Sequence, residues 1–414
     1  NPLWEMQGLQ HAVHGKAESP GADPPVIGLK IEQPGNVDAQ QYDQTVRDIV
    51  NDGYDIQYEL TIEFVDVDGN FVQQFQTTAF DSRIWELYLY AALLEVGLYV
   101  SKEHEAPDFE VRAGHQKAFV EAVIVGRSPK DPPLESRSDG RPRLRSTEEI
   151  RELIKTRMPI RFGSALFSKL NRKTPYWELE HVKGHPLIFA VADFHEEQSM
   201  TWTSPALLEY LYGVTHDVFW DEAGQLVITS MKLEKHEHEG KVIPSGYFFQ
   251  PGAEHVSAVL FSSSGTISKF NRMGMLAGFG VPNQRIYRTG VRHRHDPNTA
   301  LPATFFHEVK QGVVTETWAE GLSMFHNPHA VRPVDPAMFP GIAHHFFDKG
   351  QVKSLLPEFH PYSSFTWNGE RPPGLIACQA RNSSGCCSMS RTMPGAPSSG
   401  AACCQGWCSP PACC

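Results

Sequence analysis

FDSRIWELYLYAALLEVGLYVSKEHEAPDFEVRAGHQKAFVEAVIV, residues 80–125, sets three carboxylates, Glu86, Asp108 and Glu121, among apolar or strand-forming neighbours. Ionised groups stay in such surroundings when they are paired, hydrogen-bonded or bound to a cation, so three converging acids point to a divalent metal site. The first part reads as a helix. Asp81 or Ser82 is placed to cap it, the apolar run continues to Val96, and Gly97 can close its C-terminus. Ile84, Leu87, Ala91 and Leu94 form one stripe, while Glu86 shares its side with Leu89, Tyr90 and Leu93. Such a helix is apolar nearly all round and is expected to be buried, with Glu86 an embedded acid. Pro107 precedes a strand starting at Asp108, and the valine- and isoleucine-rich run from Lys117 to Val125 reads as a buried strand interrupted by Glu121.

Outward from this segment, an alternating run, IQYELTIEFVDVDGNFVQQFQ, reads as a hairpin leading into the Glu86 helix, turned at Asp68-Gly69 or Gly69-Asn70. Downstream, IRFGSALFSKLNRK reads as a helix and HPLIFAVADFH as a buried strand. The helix Glu, then Pro107-Asp108, then Glu121-Ala122-Val123 thirteen residues after the aspartate, resembles the PD-(D/E)xK, or restriction-endonuclease-like, nuclease superfamily. The resemblance covers roughly residues 80 to 195, as a divergent member. It implies an α/β fold with a mixed sheet flanked by helices, in the order helix, three strands, helix, strand. It also implies that Glu86, Asp108 and Glu121 collect Mg²⁺, with Mn²⁺ as a substitute, to hydrolyse phosphodiesters of nucleic acid, DNA before RNA.

One position departs from the family pattern, because Val123 stands where a lysine is usual. Residues two apart on a strand share a face, so that lysine would sit beside Glu121, and valine cannot do its work. Lys117, on the same strand face, and Lys169, in the following helix, are the substitutes. Lys169 is preferred, since relatives of the superfamily can supply the lysine from a neighbouring helix, which gives Asp108, Glu121 and Lys169 as catalytic candidates. Without either lysine the expectation becomes a catalytically inactive fold that still binds nucleic acid.

The 414 residues allow more than one domain, and 41% hydrophobic content allows ordinary cores. Four parts are expected: an irregular segment 1–55 rich in Pro and Gly, the nuclease-like core 56–199, an α+β region 200–375 of unassigned fold, and a tail 376–414. A net charge of −11 argues against coating nucleic acid by bulk attraction, although a local basic groove can coexist with it. Arg127, Lys130, Arg137, Arg141, Arg143 and Arg145 crowd the expected long loop 126–148 and are the candidate backbone contacts. No apolar stretch approaches a membrane span and no secretory pattern is visible, so the chain reads as cytoplasmic and without a membrane partner. All eight cysteines fall after residue 377 in a segment without Asp, Glu or Lys, which reads as a disordered appendage.

Past residue 200, GQLVITSMKL, SGYFFQ and EHVSAVLFSSS read as strands, and Lys269 lies in a serine-rich turn without phosphate-loop spacing. Histidine pairs His236/His238, His293/His295 and His326/His329 offer a third hypothesis, a histidine-based metal hydrolase. Asp296 beside His293 and His295 puts that pair ahead of the others.

Overall fold

The computed structural model describes residues 79–128, 131, 145–196, 198–278, 284–296 and 298–369. The hairpin expected before residue 79, the cysteine-rich tail, and Lys130, Arg137, Arg141 and Arg143 lie outside the described residues. The fold is α/β, with one large mixed sheet and several helices.

Helix α1, Phe80–Glu95, packs along β3 and the short edge strand β1 and is buried nearly all round. Neither Asp81 nor Ser82 caps it: the N-cap is Ala79, without a side-chain cap, and Asp81 lies in the first turn, where its charge suits the helix dipole. The C-terminus closes through Gly97, whose φ of +89° is open to glycine, with Gly97 N–H donating to Leu94 O and Leu98 N–H to Leu93 O. Trp85 and Tyr88 lock the helix inward. The indole N–H donates to Ala190 O at 2.9 Å, and the phenol donates to Trp318 O at 2.9 Å.

Strands β1 (Tyr99–Ser101), β2 (Phe109–Ala113) and β3 (Gln116–Val125) form an antiparallel meander, and β4 (Leu187–Asp193) joins β3 in parallel. A short helix α2 (Thr147–Lys155) is opened by a capping box between Ser146 and Glu149, two residues inside the loop expected to reach 148. It hands over to α3 (Arg157–Leu170), which packs on β3. Every residue of β4 is buried, as a strand covered on both faces requires, so its run LIFAVAD is continuously apolar until its last position.

The sheet does not stop at residue 200. After α4 (Ser204–Tyr212) come two hairpins outside the large sheet, β5 (Val214–Trp220) with β6 (Leu226–Lys232) and β7 (Lys235–His238) with β8 (Lys241–Pro244). Strand β9 (Ala258–Ser262) then pairs in parallel with β4. Following α5 (Ile267–Leu276), a three-stranded antiparallel sheet is built from β10 (Ile286–Arg292), β11 (Ala303–Val309) and β15 (Pro361–Asn368). Strands β12 (Leu322–His326), β13 (Ala343–Asp348) and β14 (Gln351–Leu355) complete the large sheet in the order β1-β2-β3-β4-β9-β12-β13-β14. The expected boundary at 199/200 therefore falls between two strands that are hydrogen-bonded neighbours. SGYFFQ is a 3-10 turn, not a strand, because Gly246 and Gly252 at φ +74° and +87° fold the aromatic run back on itself.

An ionic network in which Lys269, Arg272, Arg288 and Glu316 are buried ties α5 to the smaller sheet. Glu316 pairs with Lys269 at 2.8 Å and takes both Nε and Nη2 of Arg272 at 2.8 Å, while Arg288 reaches Glu320 at 2.6 Å. Arg272 and Arg288 also donate to Thr366 and Ser364 of β15. Lys269 is thus committed to a buried ion pair on a helix, not held in a turn.

A carboxylate and lysine cluster at the edge of the meander

The β2/β3 register pairs Phe109 with Val120 and Glu110 with Phe119. Asp108 stands one residue before that pairing begins, next to the end of β2 beside which Val120 and Glu121 lie. The Asp108 carboxyl feels the Glu121 charge, so the two acids lie near one another. Asp108 is held there by Ala122, whose N–H donates to Oδ2 at 2.7 Å. The loop before it is fixed by His181, whose ring N–H donates to Ala106 O at 2.8 Å while stacking on His104 at 3.7 Å.

Glu121 accepts two hydrogen bonds on Oε1, from Lys169 Nζ at 2.6 Å and from Tyr176 O–H at 2.6 Å. Lys169 lies in the last turn of α3, and Tyr176 opens the 3-10 turn that follows. The Tyr176 ring meets Phe189 edge-on at 5.8 Å, and Phe189 is the β4 residue in register with Glu121. Lys117 is placed elsewhere, 3.0 Å from Glu110, where it and Arg112 outweigh burial and hold that carboxyl below its ordinary range. Val123 is buried in the strand.

Glu86 is engaged differently. Arg83, one turn earlier on α1, donates Nη1 to both carboxylate oxygens at 2.8 Å, and Lys102, just after β1, reaches Oε2 at 2.7 Å. The Arg83 contact is the ordinary i, i+3 pairing of a helix and was readable in the sequence; Lys102 and Tyr176 carried no local signal. Burial, then the Glu121 and Glu86 charges, push Asp108 up to about 7, against the Ala122 hydrogen bond and the Lys102 charge. Burial and the neighbouring Glu121 also raise the Tyr176 phenol. The three acids thus feel one another electrostatically.

Among the described residues no group of three His, Cys, Asp or Glu is disposed to hold a metal ion. What the cluster offers is a carboxylate pair: Asp108 Oδ1 and Glu121 Oε2 accept no hydrogen bond from the described residues, whereas both oxygens of Glu86 are occupied. Two carboxylates fit Mg²⁺ or Mn²⁺, hard ions commonly bound through one or two carboxylates while keeping several waters. Burial first, and the Glu121 and Glu86 charges second, disfavour the Asp108 anion, a penalty that a bound cation would offset.

The remaining candidates are dispersed. Arg145 forms a two-pronged pair with Glu196 at 2.6 Å, and Arg127 is exposed at the end of β3. Asp131 lies between Arg157 and Arg161, and despite burial its Ser128 hydrogen bond and Arg161 hold it at about 2. His236 bonds Ser245 at 2.8 Å, and His238 lies 3.8 Å from Glu239. His293 bonds the Tyr362 hydroxyl, His295 the Glu358 carbonyl, and His326 contacts His344 at 3.0 Å. The backbone N–H of His329 donates to Asn327 Oδ1.

The fold and this site together define an α/β protein with a lysine-supported carboxylate cluster at β3, an interior strand of the large sheet. No family model matches the chain, and no solved structure matches it. A curated protein, cytochrome c1 of Allochromatium vinosum, is 41% identical over 49 residues, which is 12% of this chain and 20% of that protein. The chain spans about one fifth of that relative's length, and so short a match shows no shared family. No helix of the described residues is long and apolar enough to cross a membrane.

Proposed function

We propose that the chain is a metal-dependent nuclease, a divergent relative of the PD-(D/E)xK enzymes, acting on nucleic acid and on DNA before RNA. The observation that carries this is the placement of Asp108 just before β2, held by the Ala122 N–H and within electrostatic reach of Glu121 on β3, with Lys169 supplied to Glu121 from the neighbouring helix. Asp108 and Glu121 would hold Mg²⁺ or Mn²⁺, with Glu86 behind them on Arg83 and Lys102. When bound there, the ion would activate water, polarise a phosphodiester and stabilise the departing oxygen. Lys169 and Tyr176 fix the Glu121 carboxylate from one side, leaving Oε2 for the ion. Burial and the Glu121 charge raise Asp108 to about 7, so a proton and a cation would compete for it and metal affinity should rise with pH.

A protein that binds nucleic acid without cutting is the second possibility, favoured by Val123 at the usual lysine position and by the salt-bridged Glu86. Incubation with linear, circular and single-stranded DNA plus Mg²⁺ or Mn²⁺, beside Asp108→Ala and Glu121→Ala, separates the two. Metal-dependent cleavage lost in both variants supports the nuclease. Cleavage that survives both substitutions removes the carboxylate pair from the reaction, and metal-independent binding without cleavage leaves the binding protein.

A further inference from the structure

Among the described residues four cations lie around the carboxylate cluster, and one of them is paired with no carboxylate there. Arg83 and Lys102 are spent on Glu86 and Lys169 on Glu121. Arg172, three residues beyond Lys169 and just past the end of α3, instead lays its guanidinium on the Tyr176 ring, with Cζ 4.2 Å from the ring centroid. Its Nη1 is shielded from solvent and has no hydrogen-bond partner among the described residues, while the residue as a whole keeps some exposure. Buried donors without an acceptor are uncommon in folded proteins and call for a specific explanation. The same tyrosine donates to Glu121, so one ring couples the unpartnered guanidinium to the proposed metal ligand.

The charges favour an anion at this place. With all three acids ionised the cations outnumber them by one, and a bound divalent ion widens the excess. A guanidinium is a planar fork of donors that matches phosphate oxygens, and stacking on an aromatic ring preorganises it for that contact. We propose that Arg172 binds a non-bridging phosphate oxygen of a nucleic-acid backbone beside the Glu121 carboxylate, with Tyr176 as the positioning residue that carries the guanidinium. This rests on the phosphodiester reading of the site. It makes the contact independent of base sequence, because a phosphate oxygen carries no base identity.

The test is binding of a fluorescein-labelled DNA duplex, followed by anisotropy over a series of NaCl concentrations with Ca²⁺ replacing Mg²⁺ to suppress cleavage. Arg172→Gln should weaken binding about ten- to a hundredfold, the range of one charge-assisted hydrogen bond. It should also lower the slope of log affinity against log salt by about one, the signature of a single lost phosphate contact. Arg172→Lys should keep the slope, and Tyr176→Leu should reproduce the loss while Tyr176→Phe, which retains the ring, should not. Arg172→Gln protein of unchanged melting temperature that binds with wild-type affinity and slope overturns the proposal, as does a wild-type protein that binds no nucleic acid. Hydrolysis is judged apart: Arg172-dependent binding with no cleavage in Mg²⁺ or Mn²⁺ sustains the phosphate contact and rejects the nuclease. Cleavage with an Arg172→Gln KM equal to wild type does the reverse.

Discussion

Replacing Asp108 with Asn should stabilise the protein, and should do so only above mildly acid pH. The carboxyl is raised from 3.8 to about 7, chiefly by burial and then by Glu121 and Glu86. A carboxylate whose folded pKa lies above its unfolded value binds a proton on folding between those values, so wild-type stability falls as pH rises from about 4 to about 7. Three units at about 1.4 kcal/mol each set a ceiling near 4 kcal/mol. Asp108 keeps some solvent contact, which screens the penalty to about 2 kcal/mol. Asn removes the charge but retains an oxygen to accept the Ala122 N–H. Thermal melts from pH 4 to pH 9 should therefore place Asp108→Asn about 5 °C above wild type at pH 8, with the gap closing toward pH 4. Excess Mg²⁺ should narrow the gap at pH 8 by stabilising the wild type alone. A variant less stable than wild type at every pH, or a gap indifferent to pH, would refute the crowded-carboxylate account.

Glu316→Gln leaves Lys269, Arg272 and Arg288 facing one another in the interior, and should cost about 3–5 kcal/mol in urea unfolding. Loss of under 1 kcal/mol would mean the network contributes little. Tyr176→Phe removes one hydrogen bond to the Glu121 carboxylate and should cost about 1.5–3 kcal/mol by the same measurement. Burial lowers His326 and His360 to about 4 and His345 to about 3, and lowers His344 too. Because these folded pKa values lie below the unfolded one, their neutral forms hold full stability above about pH 6.5 and lose it as pH falls toward 4. The urea midpoint should drop across that window, and His345→Gln should flatten the drop by about one proton, read from the slope of stability against pH.

The local parts of this fold were legible because local rules govern them. The continuous apolar run and Gly97 mark α1, and the valine- and isoleucine-rich run from Lys117 to Val125 marks β3. β4 is apolar until its last residue because neighbours cover both faces. Strand order was not legible, since nothing in SAVLFSS announces that β9 lies beside β4 some 70 residues earlier. SGYFFQ misled because β propensity ignores backbone sign, and two left-handed glycines decided the conformation. At the site, sequence spacing could name Asp108 and Glu121, but which cation meets which acid depends on long side chains crossing between elements. Lys102 to Glu86 and Tyr176 to Glu121 are contacts of that kind.

The central claim, that Asp108 and Glu121 together hold a divalent ion, is tested most directly by electron paramagnetic resonance titration with Mn²⁺. Wild-type protein should take up one tightly held Mn²⁺ per site at pH 8, with binding lost in Asp108→Asn and Glu121→Gln and unchanged in a His293→Asn, His295→Asn variant. Mn²⁺ binding that persists in both carboxylate variants, or that disappears with the histidines, would contradict it.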